Sequence, residues 1–181
     1  MLLNQKYSSG FTLMELIVTM AIMVLLFGAV LANVRFGNTQ KKPHLAGLEL
    51  VSQLEKMRNF SQTGKLFGSV VPQGGWGVAF EFGAVSNNSY SLFADVNNDG
   101  LFQASERFGT VLYLPEKVYV KAVAPATLTF QPLTIVYRPP YGDFIVNQNP
   151  ASSDIFITLS TSGNEAQKIL TLKRNTGAPV L

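Results

Sequence analysis

FTLMELIVTMAIMVLLFGAVLA, Phe11 to Ala32, is the stretch on which the reading of this chain turns. Its 22 residues are almost wholly apolar, and its single charged residue is Glu15. As an α-helix it would measure about 33 Å, at roughly 1.5 Å per residue, enough for a hydrocarbon layer of about 30 Å. Leu, Met and Ala favour the helix. The β-branched Ile17, Val18, Ile22 and Val24 are held in it because lipid offers no partner to an unpaired backbone group. The segment therefore predicts a membrane-spanning helix, with everything else attached to one end of it.

Glu15 is out of place in such a helix. A carboxylate in an apolar span costs several kcal/mol, about 2.5–3.5 on insertion scales, so it needs a partner or a proton. The nearest preceding cation is Lys6, nine residues earlier. Small residues, Ser8, Ser9 and Gly10, stand directly before the apolar run. A secretory signal peptide is cleaved beyond its apolar region. Here the small residues lie at the near end, which describes a different kind of signal.

The run K-x-x-x-G-F-T-L-M-E-L, with Gly10, Phe11 and Glu15 so placed, resembles the class III leader of type IV pilins and type II secretion pseudopilins. The resemblance implies cleavage between Gly10 and Phe11 by a prepilin peptidase and N-methylation of Phe11. It also implies that Glu15, fifth in the mature chain, pairs with the N-terminal amine of a neighbouring subunit during assembly. Two opposite charges that gain about 1 kcal/mol in water attract far more strongly where hydration is poor. The charges flanking the span, Lys6 on one side and Arg35, Lys41 and Lys42 on the other, leave orientation open. The resemblance implies a cytoplasmic leader, an inner-membrane helix and a globular domain outside the cytoplasm, joining a filament after assembly. Arg35, Lys41 and Lys42 are then expected among lipid headgroups. Major pilins tend to place a helix-breaking proline about two-thirds along the membrane segment. Ala32 stands there, which points to a pseudopilin or minor pilin.

Removal of ten residues from the 181 leaves 171, one membrane helix plus one domain of ordinary size. The net charge of +3 becomes +2 without Lys6, with 13 basic against 11 acidic residues, so charge alone does not indicate nucleic acid. The absence of cysteine removes disulfides, thiol nucleophiles, Cys-based zinc sites and iron–sulfur ligation.

Residues 11–35 are expected to form the transmembrane and assembly helix, with Gly37 and Asn38 as a C-cap region and a kink or break at 37–43. Pro43 suits the first turn of a second helix. Leu45, Leu48, Val51, Leu54, Met57 and Phe60 recur every three residues, predicting a helix over 43–62 that ends near Gly64. Residues 36–64 thus make the second part of the helical region, and 65–181 a β-rich domain. In that domain Trp76, Val78, Phe80 and Phe82 alternate with Gly77, Ala79 and Glu81. Further strands are expected at 90–94, 108–114, 117–123, 133–137, 144–146, 155–159 and 168–174, with a turn at Pro139, Pro140 and Gly142. The fold class is α+β: a pilin-like long N-terminal helix packed against a mostly antiparallel β domain. QGGWGVAFEF and the closing ILTLKRNTGAPVL resemble the GspH/FimT branch of minor pseudopilins, the first as its G-W-G-V-x-F strand and the second as its last strand, turn and strand.

DVNNDGLFQASE, Asp95 to Glu106, fits D-x-[DN]-x-[DN]-G-x5-E at every required position. Asp95, Asn97 and Asp99 supply side-chain oxygens, Leu101 its carbonyl, Gln103 a direct or water-borne contact and Glu106 a bidentate carboxylate. That set can meet the six to eight oxygens Ca2+ takes. The flanks read as strands, so the alternative is a solvated turn in which Asp and Asn bond their own backbone. An isolated loop with three charged ligands belongs at the weak end, on the order of 10⁻⁴ M or above.

Catalysis finds no constellation in the sequence. His44 is the only histidine and reads as a solvated helix-end residue, and G-x-S-x-G, H-E-x-x-H and phosphate-binding Gly loops are missing. The chain reads as non-enzymatic. Some FimT-like minor pilins take part in DNA uptake through basic residues near the C terminus. Lys168, Lys173 and Arg174 hold that position, and Lys117 and Lys121 alternate on one strand. Such a set would bind DNA weakly and in a salt-sensitive way; scattered solvating charges are the other reading. The preferred expectation is a structural minor pilin or pseudopilin, assembled into a type II secretion pseudopilus or a type IV pilus at its tip or initiation. The alternative is a DNA-binding minor pilin. The partners implied are prepilin peptidase, other pilins through the N-terminal helix, and membrane lipid.

Overall fold

The computed structural model describes residues 10–81, 88–125, 132–163 and 166–181, with the backbone alone for 32–40. The leader residues 1–9, Lys6 among them, and Phe82 lie outside the described residues. The chain divides into two compact units, one ending at Asn38 and one running from Thr39 to Leu181.

A single helix, α1 (Leu13–Gln62), begins in the first unit and ends in the second. It starts at a cap: the Glu15 N–H donates to Thr12 Oγ1 at 3.3 Å, and the Leu16 N–H to the Thr12 carbonyl at 3.2 Å. Thr12 and Glu15 are spaced as a T-x-x-E capping box. The helix closes in a Schellman motif, with Gly64 in the left-handed conformation, its N–H to the Ser61 carbonyl and the Lys65 N–H to the Phe60 carbonyl.

Of the kink or break expected at 37–43, the break does not occur, and the residues 43–62 continue the same helix. Helix continues through Gly37 and Asn38, and Pro43 lies inside it. An interior proline removes one backbone hydrogen bond and costs about 3 kcal/mol or more. Burial offsets that cost, because Pro43 itself is buried and Ala46, Leu50, Leu54 and Met57 beyond it are wholly so.

The buried stripe is also rotated from the expected one. Its spacing is four, four and three (Ala46, Leu50, Leu54, Met57), whereas Leu45 and Leu48 are 58% and 48% exposed. A strict three-residue repeat drifts around a helix of 3.6 residues per turn. It follows the core at Leu54 and Met57 and has left it by Leu45.

The β domain has two antiparallel sheets. The larger contains β1 (Gly75–Glu81), β2 (Ser89–Asp95), β3 (Leu112–Tyr113), β5 (Leu133–Tyr137), β6 (Phe144–Val146) and β7 (Asn149–Pro150), in the order β3-β2-β1-β5-β6-β7. The smaller joins β4 (Val118–Ala124), β8 (Ile155–Thr161), β9 (Gln167–Leu172) and β10 (Pro179–Val180) in the order β10-β9-β8-β4. One core takes side chains from both sheets and from α1, including Leu50, Leu54, Trp76, Ile135, Ile157 and Leu170. Trp76 meets Phe60, Phe67 and Phe108 edge-on at 5.2, 6.1 and 5.2 Å, and its Nε1–H donates to the Lys65 carbonyl at 3.1 Å.

The strand expected at 108–114 shrinks to Leu112–Tyr113. The chain bends at Gly109 and Thr110, and Phe108 is drawn to Trp76 and to the Leu92 carbonyl, which accepts its N–H at 2.7 Å. The last expected strand, 168–174, stops at Leu172. β7 had no signal in the sequence, since Asn149 and Pro150 have low strand propensity.

β1 is buried on both faces. Trp76, Val78 and Phe80 face the main core, while Ala79 joins Phe93, Val136, Ile145 and the half-buried Phe102 in a second cluster. Phe102 belongs to the loop after β2 and packs edge-on against Phe93 at 5.5 Å. The loop singled out for its acids therefore also covers the outer face of the larger sheet.

Candidate functional site

Two sites were legible in the sequence, and the structure treats them differently. At the N-terminal site, Gly10 and Phe11 are exposed ahead of α1, and Glu15 is exposed in its first turn. An acid in that turn is favoured by the partial positive charge of the helix end. The Thr12 cap fixes where the helix starts and hence where Glu15 stands relative to Phe11. That capping role was not drawn from the sequence, although T-L-M-E carried the signal. Leu13–Leu31 is long and apolar enough to cross a membrane, and none of it is buried within the molecule. The core helix of a soluble domain hides its apolar stripe, and this segment hides none.

The second site is the loop from Asp95 to Glu106. Asp95, at the end of β2, is fully buried. Its Oδ1 accepts the Asp99 N–H at 3.1 Å and its Oδ2 the Gly100 N–H at 2.9 Å, so both oxygens are occupied within the loop. Asp99 Oδ1 accepts the Leu101 N–H at 2.8 Å. Asp99 Oδ2 accepts from Asn97 Nδ2 at 2.8 Å and Gln103 Nε2 at 2.9 Å. Asn97 Oδ1 accepts the Asp99 N–H at 3.2 Å. Glu106 ends a short 3-10 turn (Ala104–Glu106) and is 5% exposed. Its Oε1 accepts the N–H groups of Val96 and Asn97 at 3.0 and 3.4 Å, and its buried Oε2 has no partner.

Gly100 has φ +71, and a side chain there would press on Ile145 and Gln148. Its carbonyl accepts the Thr134 hydroxyl at 2.8 Å, which ties the loop to β5. Among the described residues no three Asp, Glu, His or Cys side chains meet as a metal cluster.

The electrostatics follow from this packing. Burial pushes the Asp95 carboxyl up, against the pull of the Gly100 and Asp99 N–H groups. Burial does the same to Glu106, opposed by the Val96 and Asn97 N–H groups and reinforced by the charges of Asp95 and Asp99. At Asp99 desolvation is the largest single influence and acts upward, but the Leu101 N–H and the two side-chain amides together outweigh it and hold the carboxyl below its usual range. The ion pairs among the described residues join Arg58 to Glu55, Arg107 to Glu81 and Lys173 to Asp154, and none reaches this loop.

The basic residues near the C terminus have different local settings. Lys168 lies on β9 and is half-buried. Lys173 lies beyond the strand and pairs with Asp154 at 2.9 Å, while the Arg174 N–H donates to the other Asp154 oxygen at 2.9 Å. Asp154 was not identified from the sequence as a site residue.

Residues 5–31 match the family model of the prokaryotic N-terminal methylation motif. That motif is the signature of type IV pilin-like proteins and pseudopilins, and it spans Gly10, Phe11, Glu15 and the apolar helix. No curated protein and no solved structure matches the chain.

Proposed function

We propose that this protein is a structural, non-catalytic minor pilin or pseudopilin. It is cleaved after Gly10 by prepilin peptidase, methylated on Phe11 and assembled through α1 into a type II secretion pseudopilus or a type IV pilus. The observation that carries this is the methylation motif over 5–31, seated on an apolar helix with no cover within its own chain. Such a helix needs lipid before assembly and other helices after it. Glu15, in the first turn of that helix, supplies the charge that a neighbour's N-terminal amine would meet.

The test is a pair of substitutions. Gly10→Glu is expected to leave the precursor unprocessed in the membrane fraction, and a mature-sized product would remove the cleavage assignment. Glu15→Ala is expected to preserve insertion and processing but to impair filament assembly or secretion. Wild-type assembly in that variant would remove the proposed role of Glu15.

The alternative, a DNA-binding minor pilin, draws on Lys168, Lys173 and Arg174. Pairing of Lys173 with Asp154 lowers the charge available to phosphate, so the structural reading is preferred. Salt-dependent DNA binding by the purified protein, lost when these three are changed, would reverse that preference.

A further inference from the structure

We propose that the cleft beside Glu106 is a docking pocket for a lysine side chain of a partner protein, whose ammonium meets Glu106 and whose methylenes lie against the apolar walls. The cleft is open and has a volume of about 350 Å³, with walls from Phe67, Val70 and Val96 and with Glu106 as its one ionisable residue. That volume is at the small end of ligand pockets, roughly 300–1,000 Å³, which suits a single side chain. Glu106 is 5% exposed, and its Oε2 has no hydrogen-bond partner. A buried carboxylate oxygen left unpaired costs more than the bond it lacks. Among the described residues no cation of the chain itself pairs with it. Arg107 turns to Glu81 and to the Phe102 ring, and Lys56 and Lys65 lie over the Phe60 ring.

The free groups select the occupant. Glu106 Oε1 already accepts the N–H groups of Val96 and Asn97, so one oxygen remains. A single acceptor suits the point charge of an ammonium, whereas the guanidinium fork of arginine is matched by two. It is also one ligand where a metal ion takes several oxygens. An alkylammonium brings its own apolar stem, which fits the walls. Burial, and with it the charges of Asp95 and Asp99, pushes the Glu106 carboxyl up; a docked cation would offset that repulsion and supply the missing bond. The surroundings favour a protein over a free amine. Leu66, Val70 and Val71, in and beside the walls along the chain, are 50%, 51% and 47% exposed. A pocket for one anchoring side chain with apolar residues around it is the common form of a protein contact. This rim is held in place: Phe67 and Val70 exchange backbone hydrogen bonds at 2.8 and 3.2 Å, and the Lys65 carbonyl accepts the Trp76 Nε1–H. The surface belongs to the β domain and does not depend on the contact proposed for α1.

The test is saturation-transfer NMR on the full-length protein in detergent with two capped peptides. One is Leu-Lys-Leu; the other has norleucine in place of lysine, which keeps the stem and drops the ammonium. Expected is binding of the lysine peptide with a dissociation constant on the order of 10⁻³ M, and of the norleucine peptide at least about tenfold more weakly, the worth of one hydrogen bond to a charged group. Glu106→Gln is expected to abolish that preference, because an amide N–H would replace the free oxygen. Since Glu106 is buried, Val70→Lys serves as the second variant. It sets a cation at a half-exposed wall position and is expected to weaken peptide binding at least about tenfold, with the melting temperature unchanged. Equal binding of the two peptides by the wild-type chain, or no binding at about 10 mM, ten times the constant expected, would overturn the proposal. So would an undiminished lysine preference in either variant. Dimerisation that Val70→Lys abolishes, with no peptide bound, would overturn it in favour of a second copy as the occupant.

Discussion

The two halves of α1 differ in sequence and in surroundings, the first almost wholly apolar and the second amphipathic. From Leu13 to Leu31 no residue is buried, and large side chains such as Leu25 and Phe27 are open to whatever surrounds the chain. From Pro43 onward the same helix hides Ala46, Leu50, Leu54 and Met57 completely against the β domain. The second half is stabilised within the molecule, by burial of roughly 25 cal/mol per Å² of apolar surface. The first half gains that only from lipid or from other chains. A helix can therefore be divided by what it touches without being divided in its backbone. A break at 37–43, one of the two outcomes expected there, would have confused a change of surroundings with an interruption of the helix.

The comparison can be tested by truncating side chains on either side of it, with unfolding followed on the full-length protein in detergent. Trp76→Ala, at the centre of the aromatic cluster with Phe60 and Phe108, is expected to cost about 3–5 kcal/mol. Leu50→Ala, in the buried half of α1, is expected to cost about 2–5 kcal/mol. Leu25→Ala, in the exposed half, should leave unfolding of the β domain unchanged; an equal loss would mean that the two halves are not stabilised separately.

Gly75→Ala comes next, at about 1–3 kcal/mol. Gly75 has φ +106, and an added Cβ would meet the Tyr137 carbonyl that accepts the Ser61 hydroxyl at 2.6 Å. A neutral result would show that the joint between α1 and β5 relaxes freely.

The smallest effect is expected at Asp154. The Arg174 N–H and the Lys173 side chain hold its carboxyl below the usual range. A depressed carboxyl contributes stability above its unfolded pKa and loses it as pH falls through the folded value. Asp154→Asn should therefore lower stability slightly at and above neutrality, flatten the acid limb of the stability profile, and leave stability unchanged at low pH, where Asp154 is already protonated. Unchanged stability near pH 7 together with an unchanged acid limb would show that the Lys173 and Arg174 contacts to Asp154 contribute nothing.

Local signals in the sequence were reliable where the physics is local. The apolar run, Gly10 and Phe11 before it, and Glu15 within it describe a membrane-length helix with an unusual acid, whatever the rest of the chain does. Gly64 ends α1 because left-handed backbone at that point closes the Schellman bonds. Long strands such as β1 and β8 announced themselves by alternation. The pairing of a C-terminal cation was not legible for a corresponding reason: Lys173 is 19 residues from Asp154 in sequence, and no spacing rule joins them.

What the sequence by itself determined is the membrane-length apolar helix, the methylation motif over 5–31, the α+β class and the loop's oxygen-rich composition, each a property of adjacent residues. Tertiary structure decided which face of α1 is buried, because packing against two sheets selects the stripe from Ala46 to Met57 over the one through Leu45 and Leu48. It also decided that GGWG is needed where β1 is crowded by Asp95 and by the carbonyls of β5. Finally, it made the Asp95–Glu106 loop a cover for the larger sheet, with Phe102 turned inward and Glu106 buried. Those outcomes depend on residues brought together from distant parts of the chain, and short-range periodicity holds no record of such meetings.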